Sequence, residues 1–396
     1  MSKQVVTPRI RGFIATNAHP DGCALNVRRQ IEVARGLEGA SRFRNVLVIG
    51  SSTGYGLASL LCASFGLGAN VLGICFERPS TDDKTGSAGW YNLAEAHRLA
   101  AEEGRLLRTI NGDAFSHEVK QQAIEELRAS FGPLDLIVYS LAAPRRQDPD
   151  SETVWSSVLK PIGAAHGGKT IDLRGDSVVE AAIEPATAEE IEATVKVMGG
   201  EDWAAWLHVL ADAGLLAQGC RTVAYSYVGP EATYPIYRAG TIGRAKEDLE
   251  ATAASLSSML HERCGGAAWV SVNKAVVTQA SAAIPAVALY MSIAFKLMKE
   301  RGTHEGPIEQ IVRLFRDHLS NDSPSLDEEG RIRIDDWEMR PDIQAEVAAI
   351  WPTITTETLR ERSDYAGYKR EFEQLFGFSV AGIDYDAPTE VHRQLI

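Results

Sequence analysis

One segment constrains this chain more than any other. Val46 to Ile49 (VLVI) form an apolar run of strand length, which breaks into Gly50, Ser51, Ser52, Thr53, Gly54, Tyr55 and Gly56 and then into the helical period of Leu57 to Phe65. A run with no polar alternation reads as a strand buried on both faces. Glycines let the backbone turn sharply and approach another group closely, while the helix that follows offers free N–H groups and a positive dipole end to an anion. Strand, glycine turn and helix together make a cradle for a diphosphate; a plain strand-to-helix turn needs only one of the three glycines.

The pattern repeats. Asn70 to Phe76 reads as a second strand, Gly89 to Glu103 as a helix, Leu106 to Ile110 as a third strand, Ser116 to Phe131 as a helix and Leu134 to Ser140 as a fourth strand. After a long polar and glycine-rich stretch, strand-like runs resume at Arg221 to Tyr227 and Ala268 to Asn273, separated by a helix from Arg244 to Cys264 and followed by an apolar helix after Pro285. Alternating strands and helices imply an α/β fold, a doubly wound parallel sheet of Rossmann type. The expected organisation is one enlarged domain. It comprises an N-terminal extension with a short strand or hairpin (1–44), a core (45–144 and 220–300), a mainly helical, substrate-covering insertion (145–219) and a helical C-terminal extension (301–396).

Composition narrows the function classes. Forty Lys and Arg against 53 Asp and Glu leave a net charge of −13, with no basic cluster to hold a phosphate backbone, so no nucleic-acid partner is expected. Five scattered cysteines without a CxxC pair argue against a disulfide framework or a metal site and suit a reducing cytoplasm. The longest apolar stretch, Ala282 to Met291, is about half a bilayer span, so no membrane role is expected. A monomer is the expectation, a dimer the alternative.

Several residues carry candidate chemistry. Phe76 and Glu77 end the second strand, where a carboxylate can accept both ribose hydroxyls of a dinucleotide or simply be a solvated loop group; Arg78 beside it would favour a phosphate instead. Asp113 and Ala114, after the third strand, fall beside the adenine in such a fold, and Asp113 can equally be a helix N-cap. Ser140, Leu141 and Ala142 reach the carboxyl edge of the sheet, where ligands bind. Tyr237 and Lys246 are a candidate reaction centre, because short-chain reductases pair a tyrosine with a lysine; by themselves a tyrosine and a lysine at this separation are ordinary surface residues. Nine steps at about 100° put them on opposite sides of a continuous helix, so they converge only if the backbone breaks, and Gly240 and Gly243 supply places for that. The tyrosine is expected on a loop and the lysine on the helix, with Tyr227 a second phenol in reach. His166 and His304 read as hydrogen-bonding histidines, Trp203 and Trp206 as packing, and Arg145 with Arg146 as a solvated pair or an attractor for an acidic carrier.

The GxxxGxG spacing is that of the short-chain dehydrogenase/reductase superfamily, a resemblance that points to a nicotinamide cofactor. Further strings (VLVIGSSTGYGLAS, GSAGWYN, INGDAFS, YSLAAPRR, VMGGEDW, AVVTQASAAIP, RGTHEGPIEQ, GYKREFEQLFGF) and the Tyr-x8-Lys pair closely resemble the FabV-type enoyl-[acyl-carrier-protein] reductase and trans-2-enoyl-CoA reductase family, essentially end to end. The resemblance implies an enzyme without metal or flavin that uses NADH to reduce the C2=C3 bond of enoyl thioesters on acyl-carrier protein or CoA in fatty-acid biosynthesis. It also implies Tyr237 as catalytic tyrosine, Lys246 as a cofactor-contacting lysine and Tyr227 as a substrate contact. The cofactor contacts it implies are Gly50 to Gly56, Phe76, Glu77, Asp113, Ala114, Leu141, Ala142, Val276, Val277 and Thr278. Two positions depart from the family pattern: Glu247 stands where a second lysine follows the first, and Ala288 where relatives have proline. A 3-ketoacyl-thioester reductase and a non-catalytic NADH-binding protein are the rival readings.

Overall fold

The computed structural model describes residues 3–11, 14–37, 39, 42–172, 175–279, 281 and 285–395, the side chains of 14, 285 and 286 aside. Three two-residue strands, β1 (Lys3–Gln4), β2 (Ile10–Arg11) and β3 (Ile14–Ala15), open the chain. β2 and β3 pair as the hairpin expected there, ahead of helix α1 (Pro20–Ala34), which the sequence reading missed. The alternation then appears as β4 (Asn45–Ile49), α2 (Gly54–Leu61), β5 (Asn70–Cys75), α3 (Ala88–Glu102), β6 (Leu107–Asn111), α4 (His117–Glu126) and β7 (Leu134–Tyr139).

The inserted region is helical only in its second half. Residues 145–183 form two antiparallel hairpins, β8 (Arg145–Gln147) with β9 (Val154–Ser156) and β10 (His166–Asp172) with β11 (Ser177–Ile183). Helices α5 (Ala188–Met198) and α6 (Glu201–Asp212) follow. The expectation of a mainly helical insertion missed these hairpins because β10 (HGGKTID) is mostly polar or glycine and the apolar residues of β11 (SVVEAAI) do not alternate with polar ones. β12 (Leu216–Ser226), α7 (Thr241–Cys264), β13 (Ala267–Val272) and α8 (Pro285–Glu300) resume the core. The remainder holds α9 (Pro307–Arg313), β14 (Ile332–Arg333), α10 (Pro341–Ile350), α11 (Leu359–Arg362), α12 (Tyr365–Leu375) and β15 (Thr389–Glu390).

Seven parallel strands make the central sheet, in the order β14-β13-β12-β7-β4-β5-β6. The order reverses between β4 and β7, and that switch point opens a crevice at the strands' carboxyl ends. All five residues of β4 are buried, as a central strand covered on both faces requires. Trp203 and Trp206 of α6 are fully buried against one face, which settles their role as packing. α8 is buried from Val287 to Leu289 and on to Phe295, and packs against α10, α12 and β10; a helix apolar all round belongs inside. Of the stretch Ala282 to Met291, the first three residues lie outside the described residues. Among the described residues no helix is long and apolar enough to cross a membrane, and the five cysteines are buried free thiols.

Candidate active site

The crevice holds a cleft of about 530 Å³. Its floor is the turn after β4. Gly50 has φ +87°, and a Cβ there would lie 2.5 Å from the Ser140 carbonyl oxygen, so only glycine lets the ends of β4 and β7 approach. Gly56 meets the same limit, since its Cβ would fall 1.8 Å from the Gly50 oxygen. Gly50, Ser52, Thr53, Gly54 and Tyr55 line the cleft, whereas Gly56 and Ser51 support it from behind, Ser51 Oγ donating to the Ile74 carbonyl at 3.2 Å.

Glu77 faces into this cleft from the end of β5. Its carboxylate accepts from Ser52 Oγ at 2.6 Å and from Ser87 Oγ, and its backbone exchanges two hydrogen bonds with the Asn111 side chain, at 2.7 and 2.8 Å. It is therefore no free loop carboxylate. Arg78 is exposed, and Phe76, 80% exposed, forms the rim. Asp113 and Ala114 line the same end. The N-cap alternative for Asp113 fails: Ser116 caps α4, accepting from Val119 N at 3.2 Å. Behind this loop lies a buried ion pair. Lys120 Nζ donates to the carbonyls of Ala114 (3.0 Å) and Phe115 (2.8 Å) and to Asp202 (2.7 Å), which also accepts from Tyr139 (3.0 Å).

Tyr237 and Lys246 both line the other end of the cleft. Tyr237 sits in a tight turn ahead of α7, and its carbonyl accepts from the N–H groups of Gly240 (3.1 Å) and Gly243 (2.9 Å). A Cβ on Gly243 would lie 1.9 Å from the Arg238 oxygen, so the break the spacing demanded is built on that residue. Lys246 is on α7, donating to the Tyr225 carbonyl at 3.3 Å. Burial lowers its pKa to about 8 against the pull of Glu250, while burial and the charge of Glu338 raise that of Tyr237. Among the described residues, no group hydrogen-bonds the Tyr237 hydroxyl. Tyr227 packs edge-on to Tyr237, with centroids 5.1 Å apart.

Ser140, Leu141, Ala142, Val276 and Thr278 line the cleft; Val277 instead lines a neighbouring cavity between α1 and α9. Leu159, Met198, Ile242, Val287 and Met291 supply an apolar wall. Arg145 stands at the mouth, but Arg146 is buried and donates to the Lys196 carbonyl at 2.7 Å, so the two are not a solvated pair. His304 lies beside Glu371, away from this cleft, and His166 starts β10. Glu247 pairs with Arg244 at 3.0 Å on the exposed side of α7, and Ala288 is fully buried in α8.

Two site residues escaped sequence reasoning. Lys274 lines the cleft, held by the Ala275 carbonyl at 2.8 Å, and a lysine closing an apolar strand (SVNK) was the available signal. Glu338 is 1% exposed and accepts from Tyr227 (3.2 Å), Tyr290 (2.6 Å) and Ala275 N (2.7 Å); nothing in its surroundings in the sequence marks it.

A glycine turn at the switch point, a carboxylate after the second core strand and a tyrosine and a lysine lining the same cleft fit a reductase of the short-chain, nicotinamide-dependent class. Family models for the trans-2-enoyl-CoA reductase catalytic region and for the NAD(P)H binding domain of trans-2-enoyl-CoA reductase match residues 84–320 and 5–82. An enoyl-[acyl-carrier-protein] reductase [NADH] of Pseudoalteromonas atlantica is 54% identical over 96% of this chain and 97% of its own. A trans-2-enoyl-CoA reductase [NADH] of Ruminiclostridium cellulolyticum is 50% identical over 98% of each. The crystal structure of Treponema denticola trans-2-enoyl-CoA reductase in complex with NAD superposes with a TM-score of 0.94 at 47% identity, covering 99% of this chain and all of that one. The chain belongs to the trans-2-enoyl-CoA reductase family.

A third model, named for an enoyl reductase FAD binding domain, matches residues 326–389. That segment does not fit a flavin. Its apolar side chains, Ile343, Val347, Tyr365, Tyr368 and Phe372, are spent in the core, and Arg331 and Arg333 are paired with Asp327, Glu329, Asp335 and Glu250. The glycine turn that cradles a diphosphate lies at 50–56.

Proposed function

We propose that this chain reduces the C2=C3 double bond of trans-2-enoyl thioesters, carried on acyl-carrier protein or CoA, with NADH, as a step of fatty-acid biosynthesis. NADH bound in the cleft supplies a hydride to C3. The backbone N–H groups of residues 52–54 face the cofactor's diphosphate, Glu77 accepts its adenine ribose hydroxyls, and Asp113 and Ala114 border its adenine. Lys246 holds the nicotinamide ribose and sets a positive charge beside Tyr237.

As hydride adds to C3, negative charge develops on the thioester oxygen. Tyr237 donates its hydroxyl to that oxygen, and C2 takes a proton from water or through the phenol. The apolar wall of Leu159, Ile242 and Met291 receives the acyl chain. The observation that carries this reading is the buried, unengaged Tyr237 hydroxyl, on a residue that lines one cleft together with Lys246 and the glycine turn. The test is NADH oxidation followed at 340 nm with crotonyl-CoA, a longer enoyl thioester and acetoacetyl-CoA. Turnover of the enoyl substrates is expected; turnover of acetoacetyl-CoA alone would make the chain a ketoreductase, and NADH binding without any turnover would make it a binding protein.

A further inference from the structure

Glu338 comes from the segment after β14, far from the cleft in sequence, yet its carboxyl group is the hub of a buried hydrogen-bond chain that ends there. Gln344 on α10 donates to the Tyr290 hydroxyl at 2.9 Å, Tyr290 donates to Glu338 Oε1 at 2.6 Å, and Tyr227 meets the same oxygen at 3.2 Å. Oε2 is occupied by the Ala275 N–H at 2.7 Å. Each hydroxyl has one proton to give. With Glu338 ionised, Tyr227 must spend its proton on Oε1 and has none for the cleft. With Glu338 neutral, Oε1 accepts from Tyr290 and donates to Tyr227, whose own proton is then released toward the cleft. The polarity runs unbroken from Gln344 through Tyr290, Glu338 and Tyr227.

We propose that Glu338 is a positioning residue for the reduction, setting through its protonation whether Tyr227 joins Tyr237 as a second donor to the substrate's thioester oxygen. The inference rests on the enoyl-thioester reading. Several charged and titratable groups face this carboxyl. They are Lys274 across the Ala275 turn, Tyr227 and Tyr237 from the β12–α7 connection, Tyr290 from α8 and Tyr55 from α2, with Asp335 of its own segment, itself paired with Arg333 at 2.7 Å. Burial raises the Glu338 pKa, and Lys274 and the Tyr290 hydrogen bond oppose that rise. The neutral form, with two donors, is thus the form favoured as pH falls.

The test is the pH profile of kcat with crotonyl-CoA for the native enzyme, Glu338→Gln and Tyr227→Phe, with melting temperature and NADH titration reporting that each variant is folded. Glutamine is permanently neutral and can still donate to Tyr227 while accepting from Ala275. The native enzyme is expected to lose turnover roughly tenfold as pH rises through the Glu338 titration, less than the ~10²- to 10³-fold that a principal oxyanion donor supplies because Tyr237 remains in place. Glu338→Gln should lack that step and stay active, and Tyr227→Phe should be low throughout and lack it too. A native profile whose every step survives in folded Glu338→Gln would assign those steps to Lys246 or Lys274 and overturn the proposal, as would a native profile with no such loss, or a Tyr227→Phe enzyme as active as the native one. No turnover by the native enzyme would instead refute the function on which the inference depends.

Discussion

A phenol that serves as a donor must keep its proton until charge appears beside it, and burial, by raising the Tyr237 pKa, does that. Tyr237→Phe removes one donor at the oxyanion, so kcat should fall by ~10²- to 10³-fold, about 3 to 4 kcal/mol, with NADH affinity by fluorescence titration unchanged. A variant that is folded and fully active would shift the role to Tyr227. Lys246 behaves in the opposite sense. Burial brings its pKa to about 8, so the ammonium is present below that pH and lost above it. The kcat/KM of the native enzyme should therefore decline through about pH 8. Lys246→Arg, charged at every accessible pH, should be slower overall but lack the decline that Lys246 causes; a decline that persists would belong to Lys274, also near 8, or to Glu338. These residues were legible because local spacing exposes them: three glycines after a strand, and nine steps from Tyr237 to Lys246, which cannot share one helix face. Glu338 was not, because what makes it functional is a contact 111 residues away along the chain.

Elements place these groups through pairings that lie a layer behind the cleft. The loop carrying Asp113 and Ala114 hangs on Lys120 of α4, whose ammonium joins two loop carbonyls to Asp202 of α6 in a buried pair, each side chain under 5% exposed. Lys120→Met strips the buried Asp202 of its counter-charge and leaves it only the Tyr139 hydroxyl; breaking a buried pair in this way typically costs about 3 to 5 kcal/mol. Its melting temperature should drop and its NADH affinity weaken; unchanged NADH binding would separate this loop from the cofactor. On the opposite side, α12 is clamped to α8 through Glu371. Burial would raise that carboxyl, but the His304 hydrogen bond and Lys299, 2.8 Å away, bring it down to about 2. The contribution is full above the ordinary value of 4.5 and is lost as pH falls toward about 2, so acid unfolding should begin at higher pH in Glu371→Gln. The alternating strands and helices of the core were readable from period and length, since the central strands β4 and β7 are buried on both faces. The β10–β11 hairpin was not, because its burial depends on α8, a partner more than a hundred residues further on.

At the scale of the whole molecule, the two ends of the chain meet beside the coenzyme pocket. β15 pairs antiparallel with β1, Arg393 forms an ion pair with Asp21 of α1, and Val391 is fully buried. From this tail the carbonyls of Val391 and Arg393 accept from Tyr91 (2.9 Å) and Trp90 (2.7 Å), in the first turn of α3. That turn begins at Ser87, which donates to the Glu77 carboxylate, and Tyr91 in turn accepts from Gly86 N at 2.8 Å. A mechanical route therefore runs from the tail to the Glu77 carboxylate, the group proposed to hold the adenine ribose. Deleting residues 389–396 exposes the Val391 pocket, about 1.5 to 3 kcal/mol for one such side chain, and strips two buried donors of their acceptors at about 1 to 3 kcal/mol each. A chain of this length should then melt several degrees lower. The coenzyme effect is the more specific expectation. A loosened α3 turn leaves Glu77 less fixed, so the preference for NADH over NADPH, which the carboxylate enforces by repelling a 2′-phosphate, should shrink toward that of Glu77→Ala. Measuring kcat/KM for both coenzymes in the native chain, the truncated chain and Glu77→Ala decides it. A truncated enzyme that melts lower but keeps the native coenzyme ratio would mean that the tail stabilises α3 without governing Glu77, and an unchanged ratio in Glu77→Ala would remove the carboxylate from coenzyme selection altogether.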